Sequence, residues 1–131
     1  ILVSALPAGV IACLPLLDDW DIPSRLASLQ GFPGCFQGHV TDLARTWLSD
    51  LEAEIRQEIE IFACGPHPML VAVARLAHEF SLPCQLSLEE YMACGLGGCA
   101  GCVVTINTPS GPAMKRVCVD GPVFDGQRVI F

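Results

Sequence analysis

Four cysteines, in the run Cys94-Gly-Leu-Gly-Gly-Cys99-Ala-Gly-Cys102 followed by Cys118, have the residue type and spacing to hold iron. Thiolates are the donors of iron–sulfur clusters, and C-x4-C-x2-C with a fourth, distant cysteine is the plant-type [2Fe–2S] spacing. Three thiolates from one short loop converge on one inorganic core only where side-chain bulk is small. Gly95, Gly97, Gly98, Ala100 and Gly101 meet that need. Such a loop also turns successive backbone N–H groups inward, a concavity that favours anionic sulfur. Cys118 is expected on an extended segment, Arg116–Asp120, that closes the cage.

Two other uses of these cysteines compete with a cluster. Structural zinc usually takes paired C-x2-4-C knuckles, and here one such pair carries an extra cysteine upstream. A disulfide framework suits small secreted chains, yet no signal peptide is visible and the glycine-rich loop would have no purpose. A Rieske-type site needs histidines in place of two cysteines, and none lies near the Cys94 loop. Cys13, Cys35 and Cys84 lack a partner at ligand spacing and are read as core or loop thiols, and His39, His67 and His78 likewise carry no signal. Lys115 and Arg116 flank Cys118 and either offset cluster charge or face solvent. Glu89, Glu90 and Tyr91 are read as a solvated strand end rather than a docking surface.

A second place of interest is Cys64-Gly65-Pro66, at a strand-to-helix turn. Open parallel sheets bind ligands outside the carboxyl ends of their strands. Gly65 allows close approach, and the helix N-terminus that follows favours an anionic nucleotide. A packed, inert thiol is the plain alternative for Cys64. Its expected role is positional, not nucleophilic.

The elements that must position these residues follow from periodicity and punctuation. Ile1–Ser4 reads as a short strand, Pro7–Gly9 as a turn, Val10–Trp20 as a helix and Ser24–Leu29 as a strand. Gln30–Gly38, with Gly31, Pro33, Gly34 and Gly38, reads as a loop. Thr41 or a neighbour caps a helix through Leu48, with Leu43 and Trp47 on its inner face. Leu51–Glu58 is ambiguous, and Ile59–Ala63 is expected to be a buried strand. Pro68–Phe80 is the clearest helix: Met69, Val73, Leu76 and Phe80 share a face, with Arg75, His78 and Glu79 opposite. This alternation implies a parallel sheet covered by helices. Beyond Gln85 the pattern changes to short strands (Gln85–Glu89, Val103–Ile106, Val117–Val119, Arg128–Ile130), with Asn107–Lys115 as an exposed hairpin. The boundary between the two regimes is expected near Ser81.

Composition bounds the function. With 131 residues, two modules in this chain would be small ones. Hydrophobic residues make up 52% and charged residues 16%, leaner in charge than the usual quarter. Some apolar surface is therefore expected to face other parts of a longer polypeptide or a partner subunit. The formal net charge is −7 and the seven basic residues are scattered, which argues against nucleic-acid binding and against anionic membranes. Ile1–Leu17 is uncharged but at the short limit for a span, is broken by Pro7 and Pro15, and lacks a positive leader. Eight cysteines without a secretion signal point to a reducing, cytoplasmic setting.

The residues from Cys84 to Val104, together with Val117-Cys-Val-Asp-Gly-Pro-Val-Phe124, closely resemble the electron-transfer subunit family of dihydroorotate dehydrogenase. Phe62-Ala-Cys-Gly-Pro-His-Pro-Met-Leu70 resembles the C-G-P-x-P-M-L signature of the ferredoxin–NADP reductase superfamily, to which that subunit belongs. Gly38-His-Val-Thr-Asp42 is similar to the G-x-V-T-D start of a helix in the same nucleotide-binding domain. These motifs cover about residues 25 to 125 in the family's order. Family members are about twice as long and begin with a flavin-binding β-barrel and a Gly-rich phosphate loop. Neither is recognised here, so the sequence is expected to be a C-terminal fragment.

The resemblance implies an α/β fold: a partial nucleotide-binding parallel sheet with helices, followed by a small β-rich [2Fe–2S] domain. Residues 1–80 would be the later half of a ferredoxin-reductase-like NAD-binding domain, and 81–131 the cluster domain. Cys94, Cys99, Cys102 and Cys118 would be the ligands. Gly38, Thr41, Asp42, Cys64, Gly65 and Pro66 would line the nucleotide side, with FAD bound mainly by a region outside this chain. In that family electrons from dihydroorotate reach the FMN of a catalytic subunit, then pass through the cluster to FAD and NAD, in pyrimidine biosynthesis. No acid–base dyad or nucleophile–base pair appears, so this chain alone is expected to turn over no organic substrate. The tail Cys118–Asp125 is also similar to flavoprotein subunits of hydrogenases and NADH-dependent ferredoxin reductases. A zinc-stabilised interaction domain is the alternative outside redox chemistry.

Overall fold

A computed structural model of the chain describes residues 2–4, 14–31 and 33–131. The expected turn at Pro7–Gly9, the first part of the Val10–Trp20 helix and Cys13 lie outside the described residues. The chain divides into two compact units, Ile1–Glu52 and Ala53–Phe131.

The first unit is a parallel sheet with helices. Strands β1 (Leu2–Ser4), β2 (Arg25–Ser28) and β3 (Phe36–Gln37) lie side by side in that order. Leu2 pairs with Arg25 and Ala27 with Phe36, both in parallel. Helix α1 (Leu14–Asp19) precedes β2, and α2 (Val40–Asp50) follows β3. Parallel neighbours need crossovers, and α1 lies in the one from β1 to β2. The expected loop Gln30–Gly38 thus contains a two-residue strand, too short to leave a periodic trace.

Helix α2 buries Leu43 and Leu48, while Trp47 is half-buried. Its N-cap is His39, whose backbone N–H donates to Asp42 Oδ2 at 3.3 Å. The reciprocal cap starts the helix before Thr41, which lies buried in the first turn.

The second unit holds α3 (Ala53–Arg56), β4 (Ile61–Cys64), α4 (His67–Phe80), β5 (Cys84–Ser87), β6 (Val103–Thr108), β7 (Gly111–Arg116), α5 (Val117–Asp120), β8 (Val123–Asp125) and β9 (Val129–Ile130). One sheet runs β4-β5-β8, the other β7-β6-β9. β4 and β5 are parallel, from Ile61↔Cys84 to Cys64↔Ser87, and β8 lies antiparallel on the far side of β5. Helix α4 covers this arrangement with Leu70, Val73, Leu76 and Ala77, and leaves Arg75, His78 and Glu79 exposed. Arg56 lies over the Phe80 ring at 5.5 Å.

Ser81, at φ +55° with its N–H on the carbonyls of Ala77 and His78, ends α4. It is a turn inside the second unit, because β4 and α4 share one core with β5, Cys102, Ile106, Val117 and Phe124. β4 is not fully buried. Ile61 and Ala63 pack on the core, while Phe62 on the opposite face is 68% exposed.

The hairpin of β6 and β7 is regular, from Val103↔Arg116 to Thr108↔Gly111. The region Asn107–Lys115, expected as an exposed hairpin, therefore contributes most of a paired strand, with Pro109 and Ser110 left to the turn. The expectation of a strand at Val117–Val119 is corrected: these residues form the helical turn α5. Asp120 Oδ2 accepts the Arg116 backbone N–H at 2.8 Å, which pulls the segment round. Val117, fully buried, anchors it. Among the described residues no helix is long and apolar enough to cross a membrane.

Candidate metal centre

The hairpin frames the cysteines. Cys102 immediately precedes β6 and Cys118 follows β7 by two residues, so the Val103↔Arg116 pairing delivers both to one end of the ladder. The Val117 backbone N–H donates to the Cys102 carbonyl oxygen at 3.0 Å and continues the pairing one step further. Cys102 is buried and Cys118 half-buried, whereas Cys94 and Cys99 are exposed on the loop.

Cys94 and Cys99 are near enough to influence each other's proton, as are Cys102 and Cys118, and Cys118 also feels the charge of Cys94. Among the described residues no three His, Cys, Asp or Glu groups converge tightly enough to hold a single metal ion.

The loop favours negative sulfur. The Leu96 N–H donates to Cys94 Sγ at 3.4 Å and the Gly101 N–H to Cys99 Sγ at 3.4 Å. The Leu96 N–H, then that of Cys99, the Cys99 thiol and the Gly98 N–H bring the Cys94 thiol down to about 6. The Cys118 backbone N–H and thiol hold Cys102 below its ordinary value. Cys118 is pushed up, first by its hydrogen bond with Cys102, then by burial and the neighbouring sulfur charge. The donor set and the inward N–H groups fit an iron–sulfur cluster.

Gly97 makes the closest approach in the loop. It sits at φ +81°, and a Cβ there would come within 2.6 Å of Val119 Cγ2 on α5. Its carbonyl oxygen accepts from Arg116 Nη1 at 3.1 Å. Arg116 Nε in turn meets Asp120 Oδ2 at 3.3 Å, and Lys115 Nζ lies 3.9 Å from Asp120 Oδ1. The Arg116 backbone N–H, then the guanidinium and Lys115, hold the Asp120 carboxyl below its usual range. In the sequence Lys115 and Arg116 read only as charges. The i,i+4 spacing of Arg116 and Asp120 was the available signal.

The residues expected on the nucleotide side fall in different units. Gly38, Thr41 and Asp42 lie at the start of α2 in the first. Gly38 is at φ +150°, where a Cβ would meet the Phe36 ring at 2.7 Å. Asp42 is engaged by the His39 cap and by Arg45 Nη1 at 3.6 Å. Cys64, Gly65 and Pro66 join β4 to α4 in the second, with the Cys64 thiol exposed. Pro66 accepts the N–H groups of Met69 and Leu70. The His67 ring stands edge-on to Phe131 at 5.1 Å. Each set thus has a local structural use. Tyr91, expected at a solvated strand end, is 94% exposed.

Residues 89–130 match the iron–sulfur cluster binding domain of dihydroorotate dehydrogenase B. The electron transfer subunit of dihydroorotate dehydrogenase B (NAD(+)) from Caldanaerobacter subterraneus subsp. tengcongensis is 46% identical over 79 residues, covering 60% of this chain and 32% of that subunit. The same subunit from Bacillus caldolyticus is 44% identical over 94 residues, covering 71% of this chain and 32% of its own. Among solved structures, that of an NADH-dependent reduced ferredoxin–NADP oxidoreductase, studied for flavin-based electron bifurcation, superposes with a TM-score of 0.78. It is 26% identical and covers 98% of this chain and 43% of its own. The chain spans about a third of the length of the two curated relatives.

Proposed function

We propose that this chain, whose residues 89–130 match the iron–sulfur cluster binding domain of dihydroorotate dehydrogenase B, serves as part of an electron transfer subunit. In this reading Cys94, Cys99, Cys102 and Cys118 ligate a [2Fe–2S] cluster, Cys94 with Cys99 on one iron and Cys102 with Cys118 on the other. The observation that carries it is that one hairpin brings Cys102 and Cys118 to the same end, where the glycine-rich loop with Cys94 and Cys99 enters it. Bound there, the cluster supplies one-electron transfer. The chain's own residues hold the sulfurs, aim the N–H groups of Leu96 and Gly101 at them, and bury Cys102 against the core.

The wider assignment follows from the relatives' names and from the motifs. The chain would work between an FMN-containing dihydroorotate-oxidising subunit and an FAD and NAD site, in the cytoplasm, and would turn over no organic substrate alone. Residues 1–80 would belong to the NAD-binding domain and 81–131 to the cluster domain. Gly38, Thr41, Asp42, Cys64, Gly65 and Pro66 would lie toward the nucleotide.

The likeness to the ferredoxin–NADP oxidoreductase over 98% of the chain favours a second circuit, with the same cluster serving a ferredoxin reductase. Anaerobic visible absorption before and after dithionite tests the cluster. Broad bands that bleach are expected, and a chain that stays colourless after reconstitution with iron and sulfide overturns the reading. The partner that co-purifies from the native source separates the two circuits.

A further inference from the structure

We infer that Arg116 is a clasp that holds the Cys94–Cys102 loop against the turn carrying Cys118, a positioning role that goes beyond ligation and rests on the cluster reading above. The loop has few anchors of its own: Cys94 and Cys99 are exposed, and Leu96 is 87% exposed. Two of the four proposed ligands, Cys94 and Cys99, therefore sit on a segment whose place depends on what ties it down.

Arg116 makes that tie with one side chain. Nη1 donates to the Gly97 carbonyl oxygen at 3.1 Å, across 19 residues of sequence. Nε is fixed from the other side by Asp120 Oδ2 at 3.3 Å, and the same oxygen accepts the Arg116 backbone N–H at 2.8 Å. Asp120 thus orients the guanidinium and shapes α5, which carries Cys118. The tie joins Gly97, between the first two cysteines of the loop, to the fourth cysteine's turn.

The planar fork of arginine matters here. Its Nη1 and Nε leave the carbon in different directions, so one residue reaches a carbonyl and a carboxylate at once. A lysine in its place keeps the charge but offers a single ammonium centre. Charge and reach are therefore separable by substitution. Groups that orient metal ligands from outside the coordination sphere typically change metal retention by about 10–100-fold when removed.

The whole chain, reconstituted anaerobically with iron and sulfide, is challenged with an iron chelator, and bleaching of the visible bands is timed. Arg116→Gln and Arg116→Lys are both expected to lose the bands about tenfold faster than wild type. Arg116→Gln is also expected to lower the reduction potential, whereas Arg116→Lys leaves it near wild type. If Arg116→Lys retains iron as long as wild type, charge alone matters and the clasp is overturned. Wild-type retention in both variants overturns it as well. Should both variants misfold by circular dichroism, Asp120→Asn, which unpins the guanidinium and leaves it in place, is expected to bleach several-fold faster. No change in that variant overturns the clasp. A wild-type chain that never takes up colour overturns the cluster reading itself, and the clasp with it.

Discussion

The backbone N–H of Val117 donates to the carbonyl oxygen of Cys102 at 3.0 Å. This bond turns the register of one hairpin into the spacing of two thiols. Val117 is also fully buried, so the residue that sets the bond is itself fixed by packing. Val117→Ala removes two methyl groups from that packing, a loss of about 2 kcal/mol for a buried aliphatic side chain. Chemical denaturation of the metal-free chain is expected to show that loss. Iron content per chain after reconstitution is expected to fall with it.

Gly97→Ala and Gly95→Ala separate crowding from backbone conformation. Both positions have φ in the left-handed region, +81° and +65°. That conformation costs roughly 1–2 kcal/mol for an alanine. A Cβ at Gly97 also meets Val119 Cγ2 at 2.6 Å and Arg116 Nη1 at 3.1 Å, while one at Gly95 meets nothing within 4 Å. Gly97→Ala is expected to take up little iron and sulfide. Gly95→Ala is expected to reconstitute to near wild-type absorbance. Equal uptake by the two would remove Val119 as the constraint.

Cysteine substitutions should sort by position. Cys99→Ala is expected to abolish the reducible visible bands, because one iron would lose half its thiolates. Cys64→Ala, at an exposed turn between β4 and α4, is expected to leave iron content and absorbance unchanged. Loss of iron in Cys64→Ala would move that thiol into the ligand set.

Cys84 gives a pH signature. Burial, then the Asp125 and Glu60 charges, pushes its thiol up to about 11 from 9.0. The folded chain therefore holds that proton more tightly than the unfolded chain. Its stabilising effect is complete below about pH 9 and is lost as pH rises toward about 11. Denaturation midpoints of the metal-free chain are expected to fall across that window. Cys84→Ala flattens the decline. At pH 8, iodoacetamide should modify Cys64 well before Cys84.

The cysteine spacing and the α4 stripe were legible because each is a local pattern. Val73 and Leu76 bury as their period requires, and Arg75, His78 and Glu79 stay out. What escaped depends on partners distant in sequence. Phe62 reads as core by type, yet β4 turns it to the open face of its sheet. Val117–Val119 has the composition of a strand, but Asp120 captures the Arg116 N–H and bends it into a helical turn. The Gly97–Arg116 contact joins residues 19 apart, and no periodicity carries that information.

The β6–β7 hairpin closes over a two-residue turn and needs no strand from elsewhere to find its register. Hairpins of this kind form in about 1–10 μs, so Cys102 and Cys118 can meet early, before slower long-range pairing such as β4 with β5. Metal delivery would then find a half-built receptacle on a nascent chain. The timing of cofactor insertion would follow the zipping of 14 residues, Val103–Arg116, rather than completion of the surrounding unit.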